Sequence, residues 1–250
     1  SQPTAARFPA ALRDPMTPTL PDIPAVEVQI VEMTNSFRTQ NKLSTVQSNA
    51  VLQVIARAYA AYIAKNGKLS HTADGREAGD RIASGGYAWC EVGENLASFL
   101  DSRGFTSIDL AKSSVEGWIN SPGHRKNMLA EHVTETGVGV ARAPGDKPKF
   151  IAVQLFARPK SLEYQFQVSN ASNLPVTYSF GGETQTIEPH YATTHTACVP
   201  GILNFVSAGK GASAKVINGH YEAKGDAVYE LKPGKTAGVK IEIKKFEKLR

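Results

Sequence analysis

The sequence has few cysteines and no long apolar run, and these absences argue against several protein classes. Cys90 and Cys198 are the only cysteines, and no Cys-x-x-Cys or Cys/His cluster occurs, so a structural zinc site is not expected. No run reaches the roughly 18 apolar residues of a membrane-spanning helix. The cysteine pair leaves two states open: two buried free thiols, or one disulfide that cross-links two domains in an exported protein.

Clusters of like charge are also scarce in the sequence. The net charge is +5, and the only basic run lies near the C-terminus, at Lys244, Lys245, Lys248 and Arg250. We interpret this run as a solvated strand end, so nucleic-acid binding has little support. A content of 41% hydrophobic and 20% charged residues is typical of a soluble globular protein, and the 250 residues allow one or two domains.

The N-terminal segment is rich in proline, which cannot occupy the interior of a helix. Six prolines lie within residues 1–24, and we predict an extended leader there. The first residues, Ser1–Ala6, are small and polar, as after processing, and we expect no signal peptide in the chain as given.

Residues 25–159 combine helical and strand-like patterns. Apolar residues at helical spacing predict four helices: 26–41, a second from an N-cap at Ser48 to a glycine cap at Gly67, 77–83 and 107–120. His124 opens a further short helical turn. Strand-like runs cover 92–99, 136–142 and 150–158. Together these elements predict an α+β domain with three layers.

Residues 160–250 have a different pattern. Short runs of alternating apolar and polar residues are separated by turns such as Gly181-Gly182, Asn218-Gly219 and Pro233-Gly234. Many short strands at regular spacing predict an all-β sandwich of the immunoglobulin-like kind, serving as an accessory domain.

Three polar residues outside the apolar stripes are candidates for chemistry. His71 follows the second helix, Glu94 lies in Gly93-Glu94-Asn95-Leu96, and His124 follows the Ser121-Pro122-Gly123 break. Each residue alone has an ordinary explanation: a surface histidine, a solvated carboxylate or a helix-capping histidine. Together they could line one cleft.

The order of these motifs resembles the CAP superfamily, the cysteine-rich secretory, antigen 5 and pathogenesis-related 1 proteins, and in particular its bacterial branch. The resemblance covers about residues 26–158 and leaves the β region unassigned. It rests on the following residues: Asn35, Arg38, the helix at 52–64, Ser70-His71, Arg81, Gly93-Glu94-Asn95-Leu96, Trp118-Ile119-Asn120-Ser121-Pro122-Gly123-His124-Arg125, Asn127-Met128-Leu129, Gly137-Val138-Gly139 and Gln154-Leu155-Phe156.

The resemblance implies an α-β-α sandwich with a central cleft, which two histidines and two glutamates line in many members. His71, Glu94 and His124 match three of those positions. The fourth, acidic position lies near Glu116, Asn120 and Ser121, so the tetrad is incomplete or rearranged. The multiple disulfides of the eukaryotic members are also missing.

Three uses of the cleft stay open. His71 and His124 could bind Zn²⁺ or another divalent metal. Glu94 would then act through a water molecule or support a ligand without binding the metal itself. Ser121, His124 and Glu94 could form a hydrolase triad, although no Gly-x-Ser-x-Gly motif accompanies Ser121. The cleft could instead be a non-catalytic pocket whose ligand contacts include Asn95, Ser121 and Arg125.

We therefore expect an exported binding protein, secreted or periplasmic, with a metal or a small lipid-like ligand in the cleft. The β domain would contact a protein or cell-surface partner, and no nucleic acid or transmembrane segment is expected. The alternative is a hydrolase of peptides or esters. Trp89, Trp118, Tyr59 and Tyr62 are predicted core residues. The β-domain histidines show no ligand spacing, although His190 and His195 could approach each other if their strands pair.

Overall fold

The computed structural model describes residues 17–211, 214–234 and 238–245, which form two compact units. The first unit contains the described residues up to Tyr87 together with Val92–Phe156. The second contains Ala88–Glu91 and the described residues from Ala157 onward. Most of the predicted leader, residues 1–16, and the basic residues Lys248 and Arg250 lie outside the described residues.

The first unit contains five helices and a four-stranded sheet of order β1-β3-β4-β2 within the described residues, the first residues of β2 and the last of β4 belonging to the second unit. Every predicted helix and strand of this region is present, with bounds that differ by a few residues. The elements are α1 (Ile23–Gln40), β1 (Gln47–Ser48), α2 (Ala50–Asn66), α3 (Ala78–Ser84), β2 (Trp89–Leu100), α4 (Ser107–Ile119), α5 (Pro122–Met128), β3 (Glu135–Arg142) and β4 (Lys149–Pro159).

Two predicted helix boundaries are wrong for local reasons. α1 begins at Ile23, inside the predicted leader, because Pro24 occupies the first turn, where a missing N–H costs nothing. The N-cap of α2 is Asn49 and not Ser48, which lies in β1. The Asn49 side-chain oxygen accepts from the backbone N–H groups of Val51 and Leu52. At the other end, Gly67 is the predicted C-cap, with a left-handed φ of 74°.

The three layers of the first unit follow from the alternation of side chains along β3. Gly137 and Gly139 face α2, where an added Cβ would lie 2.2 Å and 2.1 Å from backbone atoms of that helix. Val138 and Val140 point to the opposite face and pack in the core with residues of α1 and α4. Successive residues of a strand point to opposite faces, so the sheet lies between α2 on one side and α1 with α4 on the other.

The second unit consists of β strands in two four-stranded sheets, apart from a short 3₁₀ turn at Lys160–Leu162 among its described residues. The sheets have the orders β10-β9-β6-β7 and β12-β11-β5-β8. Its strands are β5 (Tyr164–Asn170), β6 (Val176–Phe180), β7 (Glu183–Ile187), β8 (Ala192–Ala197), β9 (Ile202–Ala208), β10 (Lys215–Glu222), β11 (Ala227–Pro233) and β12 (Val239–Lys245).

The core of the second unit contains residues of both sheets. Phe166 on β5 and Tyr229 on β11 come from one sheet, and Tyr178 on β6 and Phe205 on β9 come from the other. His195 on β8 stacks on Phe166, with 4.9 Å between ring centroids, and its Nε2 hydrogen-bonds the Tyr178 hydroxyl at 2.8 Å. This histidine is therefore part of an aromatic core.

Cys90 and Cys198 form a disulfide, which resolves the two states that the sequence left open. Their Cα atoms are 5.7 Å apart, within the usual range for a disulfide. The expected cross-link between two domains is wrong, however, because Ala88–Glu91 belongs to the second unit. The bond therefore fastens this short segment of β2 to the end of β8 within one unit.

Two of the four predicted aromatic core residues are buried and two are not. Trp118 and Tyr59 are 1% and 3% exposed. Trp89 and Tyr62 are 37% and 40% exposed, so their assignment to the core is wrong. No helix in the described ranges is long and apolar enough to cross a membrane.

We expect Gly139→Ala to destabilise the protein by several kcal/mol, because the new methyl group would meet the backbone of α2 and the helix would have to move. Gly117→Ala is the matched control: Gly117 lies in α4 with open space around it, and alanine there should stabilise by about 1 kcal/mol or less. Urea unfolding of both variants measures the difference. Equal effects of the two changes would contradict the close contact between α2 and β3.

Candidate functional site

The three candidate residues lie on three different elements of the first unit and come close together. His71 lies in the turn that follows α2, Glu94 on β2, and His124 in the first turn of α5. The side chain of His71 is 52% exposed and that of Glu94 is 2% exposed. His124 is half-buried. The structure thus brings together the trio that the sequence singled out.

The contact between His71 and Glu94 orients the His71 ring. Nδ1 of His71 lies 2.7 Å from Oε1 of Glu94. An ionised carboxylate only accepts hydrogen bonds, so Nδ1 carries the proton and donates. Nε2 of the neutral ring then keeps a free lone pair. A carboxylate behind an imidazole in this way is the usual arrangement for a metal-binding histidine.

The rings of the two histidines lie close together. Their ring centroids lie 6.5 Å apart, with the planes tilted by 51°. Two imidazoles that bind one tetrahedral zinc ion through nitrogens about 2 Å from it have ring centroids about 5 Å apart. The two rings would therefore have to approach each other by about 1 Å to share such an ion. No group of three or more His, Cys, Asp or Glu within the described residues is arranged to hold a metal, so any such site would be open and weak.

The second oxygen of Glu94 is held from the opposite direction by Arg81 of α3. Nη2 of Arg81 donates to Oε2 of Glu94 at 2.6 Å. Nη1 of Arg81 donates to Oδ1 of Asp74 at 2.9 Å and to the backbone oxygen of Arg76 at 2.6 Å. The guanidinium also lies 3.5 Å above the ring of Tyr59. Glu94 thus has one partner at each oxygen.

The His124 side of the cleft is fixed by two asparagines. Nδ2 of Asn127 donates to the backbone oxygen of Glu94 at 3.0 Å and to Oδ1 of Asn95 at 2.9 Å. Nδ2 of Asn95 donates to the backbone oxygen of His124 at 3.2 Å. Asn95 is fully buried, so this predicted ligand contact instead braces β2 against α5.

A buried arginine holds the other end of α5. Arg38 is fully buried, and its Nη1 donates to the backbone oxygens of Met128 and Ala130 at 2.7 and 2.9 Å. A cation is favourable at the C-terminus of a helix, where carbonyl groups lack partners. Burial lowers the pKa of Arg38. Arg125, a predicted ligand contact, is exposed on α5, with its guanidinium 5.0 Å from the Phe37 ring centroid.

The residues of the predicted hydrolase triad do not form a connected chain. Ser121 is half-buried at the N-cap of α5, and no hydrogen bond joins its hydroxyl to His124 among the described residues. Glu94 bonds His71 and not His124. The acidic residue nearest the fourth family position, Glu116, is exposed and lies 3.8 Å from Lys112.

A pocket of about 660 Å³ lies between α2 and α3. Arg81 belongs to its lining, whereas His71, Glu94 and His124 do not. Most of its wall is apolar, from Val54, Ile55, Ala58, Tyr59 and Tyr62 of α2, with Asp74, Arg76, Ser84 and Gly85 completing it. This volume lies within the usual range of small-molecule pockets, about 300–1,000 Å³.

Sequence reasoning missed Asp74 and treated Arg81 only as a landmark of the family. Asp74 lies in a turn and Arg81 on a short helix, 7 and 13 residues from their partners Arg81 and Glu94. No periodic pattern links a turn, a helix and a strand at such separations. The burial of Arg81 on the seven-residue helix α3 points to its role, but burial can be seen only in the folded structure.

Comparisons with known proteins identify a matching family and similar structures. The sequence model of the cysteine-rich secretory protein family matches residues 31–156, half of the chain. A solved extracellular protein of Bacillus anthracis with an SCP domain is 28% identical, with a TM-score of 0.45, over 54% of this chain and 41% of its own. An outer surface protein of Borrelia burgdorferi is 21% identical, with a TM-score of 0.45, over 52% of this chain and 90% of its own.

Two curated proteins of Bacillus subtilis (strain 168) are also similar to this chain. The uncharacterized protein YkwD is 30% identical over 141 residues, which are 55% of this chain and 52% of that protein. The uncharacterized membrane protein YlbC is 31% identical over 119 residues, 46% of this chain and 32% of that protein. The chain thus spans between a third and a half of the length of these relatives.

The pKa of His124 lies below its usual value of 6.5 because burial disfavours the charged ring, and the nearby charge of His71 adds to this effect. We expect His71→Gln to raise the pKa of His124 but to leave it below 6.5, since burial is the larger cause. NMR titration of the His124 ring measures both values. An unchanged pKa would contradict the closeness of the two rings.

The same shift makes stability depend on pH. The unfolded chain binds a proton at His124 more readily than the folded chain, so His124 destabilises the fold as pH falls from 6.5 through the folded pKa. Above 6.5 both states are neutral and this cost is absent.

Proposed function

The chain belongs to the cysteine-rich secretory protein family, and from this membership and the cleft geometry we propose an exported binding protein whose His71 and His124 hold a divalent cation such as Zn²⁺. One observation carries the proposal: Glu94 occupies Nδ1 of His71, and the freed Nε2 belongs to a ring 6.5 Å from that of His124. A bound cation would offer open positions to an oxygen or nitrogen of a ligand.

Each protein group has a part in this site. His71 and His124 supply neutral nitrogens, and the low pKa of His124 keeps it unprotonated at neutral pH. Glu94 holds the His71 ring in place. Asn95 and Asn127 keep the two walls of the cleft at a fixed spacing.

Export is supported by the disulfide between Cys90 and Cys198, since such bonds persist in oxidising compartments. This covers both secreted and periplasmic locations. The second unit would contact a protein or a cell surface. Its neighbouring strands β9 and β10 support that role through the exposed apolar side chains of Ile202, Val206 and Val216.

The serine hydrolase alternative lacks geometric support, because Ser121 does not bond His124 and Glu94 serves the other histidine. The enzymatic alternative that remains is metal-assisted hydrolysis of a peptide or an ester. It would show as turnover that a chelator abolishes and that disappears in the double His71→Ala/His124→Ala variant.

A small lipid-like ligand is a second candidate, and the pocket between α2 and α3 favours it over the polar cleft. Of the residues that line this pocket, Val54 and Tyr62 are 64% and 40% exposed, and Ile55 and Tyr59 are buried. An acyl chain or a flat apolar molecule would cover this exposed apolar surface.

We expect calorimetry with Zn²⁺ to show one weak site in the intact protein, with His71→Ala and His124→Ala each weakening binding at least about tenfold, since each removes a ligand. His220→Gln is the control, because this exposed histidine lies on β10 of the second unit. Wild-type zinc affinity in both alanine variants, with the fold intact by circular dichroism, would refute the site.

For the pocket, Val54→Asp should weaken binding of a fluorescent fatty acid about tenfold or more, because a charge would replace an apolar wall. Val216→Asp, a similar change at an exposed valine of the second unit, should leave binding unchanged. Fluorescence titration measures both. Equal affinities of Val54→Asp and the wild type would count against this pocket as the lipid site.

A further inference from the structure

The buried carboxylate of Glu94 requires a fixed counter-charge. Its side chain is 2% exposed, and a buried ion without a partner is strongly destabilising. Arg81, with a side chain that is 4% exposed, is the cation in contact with it among the described residues. The two groups meet at 2.6 Å through Nη2 and Oε2. This leaves Oε1 for His71.

The guanidinium of Arg81 is itself fixed on several sides. Asp74 and the backbone oxygen of Arg76 accept from Nη1, and the Tyr59 ring lies beneath the group. A planar group with these contacts has one orientation, so the direction of its Nη2 bond is set as well. The carboxylate of Glu94 cannot turn without breaking the bond to Arg81 or the bond to His71.

We propose that Arg81 is a positioning residue for the cleft: it clamps Glu94 so that Oε1 accepts a hydrogen bond from Nδ1–H of His71, and thereby keeps the lone pair of Nε2 available. Arg81 bonds Glu94 and is not one of the two histidines of the proposed cation site. It acts through Glu94 and decides which His71 nitrogen carries the proton. The effect of this tautomer on cation binding rests on the proposed function, but the tautomer of His71 itself does not require a metal.

Lysine cannot replace arginine in this position. An ammonium group is a single point charge, whereas Arg81 donates from Nη1 and Nη2 to partners on opposite sides. In Arg81→Lys the bond to Asp74 or the bond to Glu94 is lost, while the positive charge remains. The variant therefore separates the geometry of the clamp from its charge.

The test reads the ring nitrogens of His71 by ¹⁵N NMR at about pH 8.5, where an ordinary imidazole is neutral. The wild type should show the Nδ1–H form, and Arg81→Lys should show a mixture of both tautomers. Zinc affinity should fall about 10–100-fold in parallel, as for other groups that support a metal ligand. Arg76→Lys is the control, because Arg76 also pairs with Asp74 but does not contact Glu94.

A wild-type tautomer in folded Arg81→Lys overturns the proposal. Should that variant not fold, Asp74→Asn takes its place. It leaves Arg81 present but removes the carboxylate that holds Nη1, and an unchanged tautomer there overturns the proposal as well. Absence of zinc binding by the wild type would defeat the proposed function alone, since the tautomer is measured without metal.

Discussion

The ion pair of Arg81 and Glu94 is the interaction on which the cleft depends. It joins α3 to β2 inside the first unit, with both side chains almost fully buried. Two buried charges offset their loss of hydration only when their remaining hydrogen-bonding capacity is used. Here Asp74, the Arg76 backbone and His71 use it. His71, although half-exposed, is therefore attached to the interior and not merely to a surface turn.

The opposite wall has a different physical basis. α5 is a helix of seven residues, too short to be stable by itself. Arg38 bonds carbonyl groups at its end, and Asn127 and Asn95 tie it to β2 by neutral hydrogen bonds. Gly93 leaves room for this arrangement, because an added Cβ would lie 3.1 Å from Cγ of Asn127. One wall is thus fixed by a buried ion pair, and the other by a buried arginine at the end of α5 together with two amides.

Much of the fold could be predicted from the sequence, because it follows from local patterns. The periodicity of α2 and α4, the Gly67 cap and the alternating strands of the second unit are all properties of neighbouring residues. Other predictions were wrong because they depend on how distant parts of the chain pack. Trp89 and Tyr62 are exposed, and the disulfide joins two segments of one unit. The trio of the cleft was visible as residue types, but the roles of Asp74 and Arg81 depend on burial and orientation.

The chemistry of the cleft depends on where carboxylates lie: Glu94 contacts His71, whereas Glu116 pairs with Lys112. A second acidic group near His124 could have oriented that ring, as Glu94 orients His71, or completed a stronger set of metal ligands. Glu116 lies instead on the exposed face of α4 beside Lys112, and Asn120 is exposed. His124 is left with burial as the main influence on its pKa, which favours a neutral imidazole. The proposed reversible binding uses one oriented and one neutral imidazole, and needs no nucleophile beside either ring. The asymmetry between the two histidines is therefore the feature on which the proposal of a binding cleft depends.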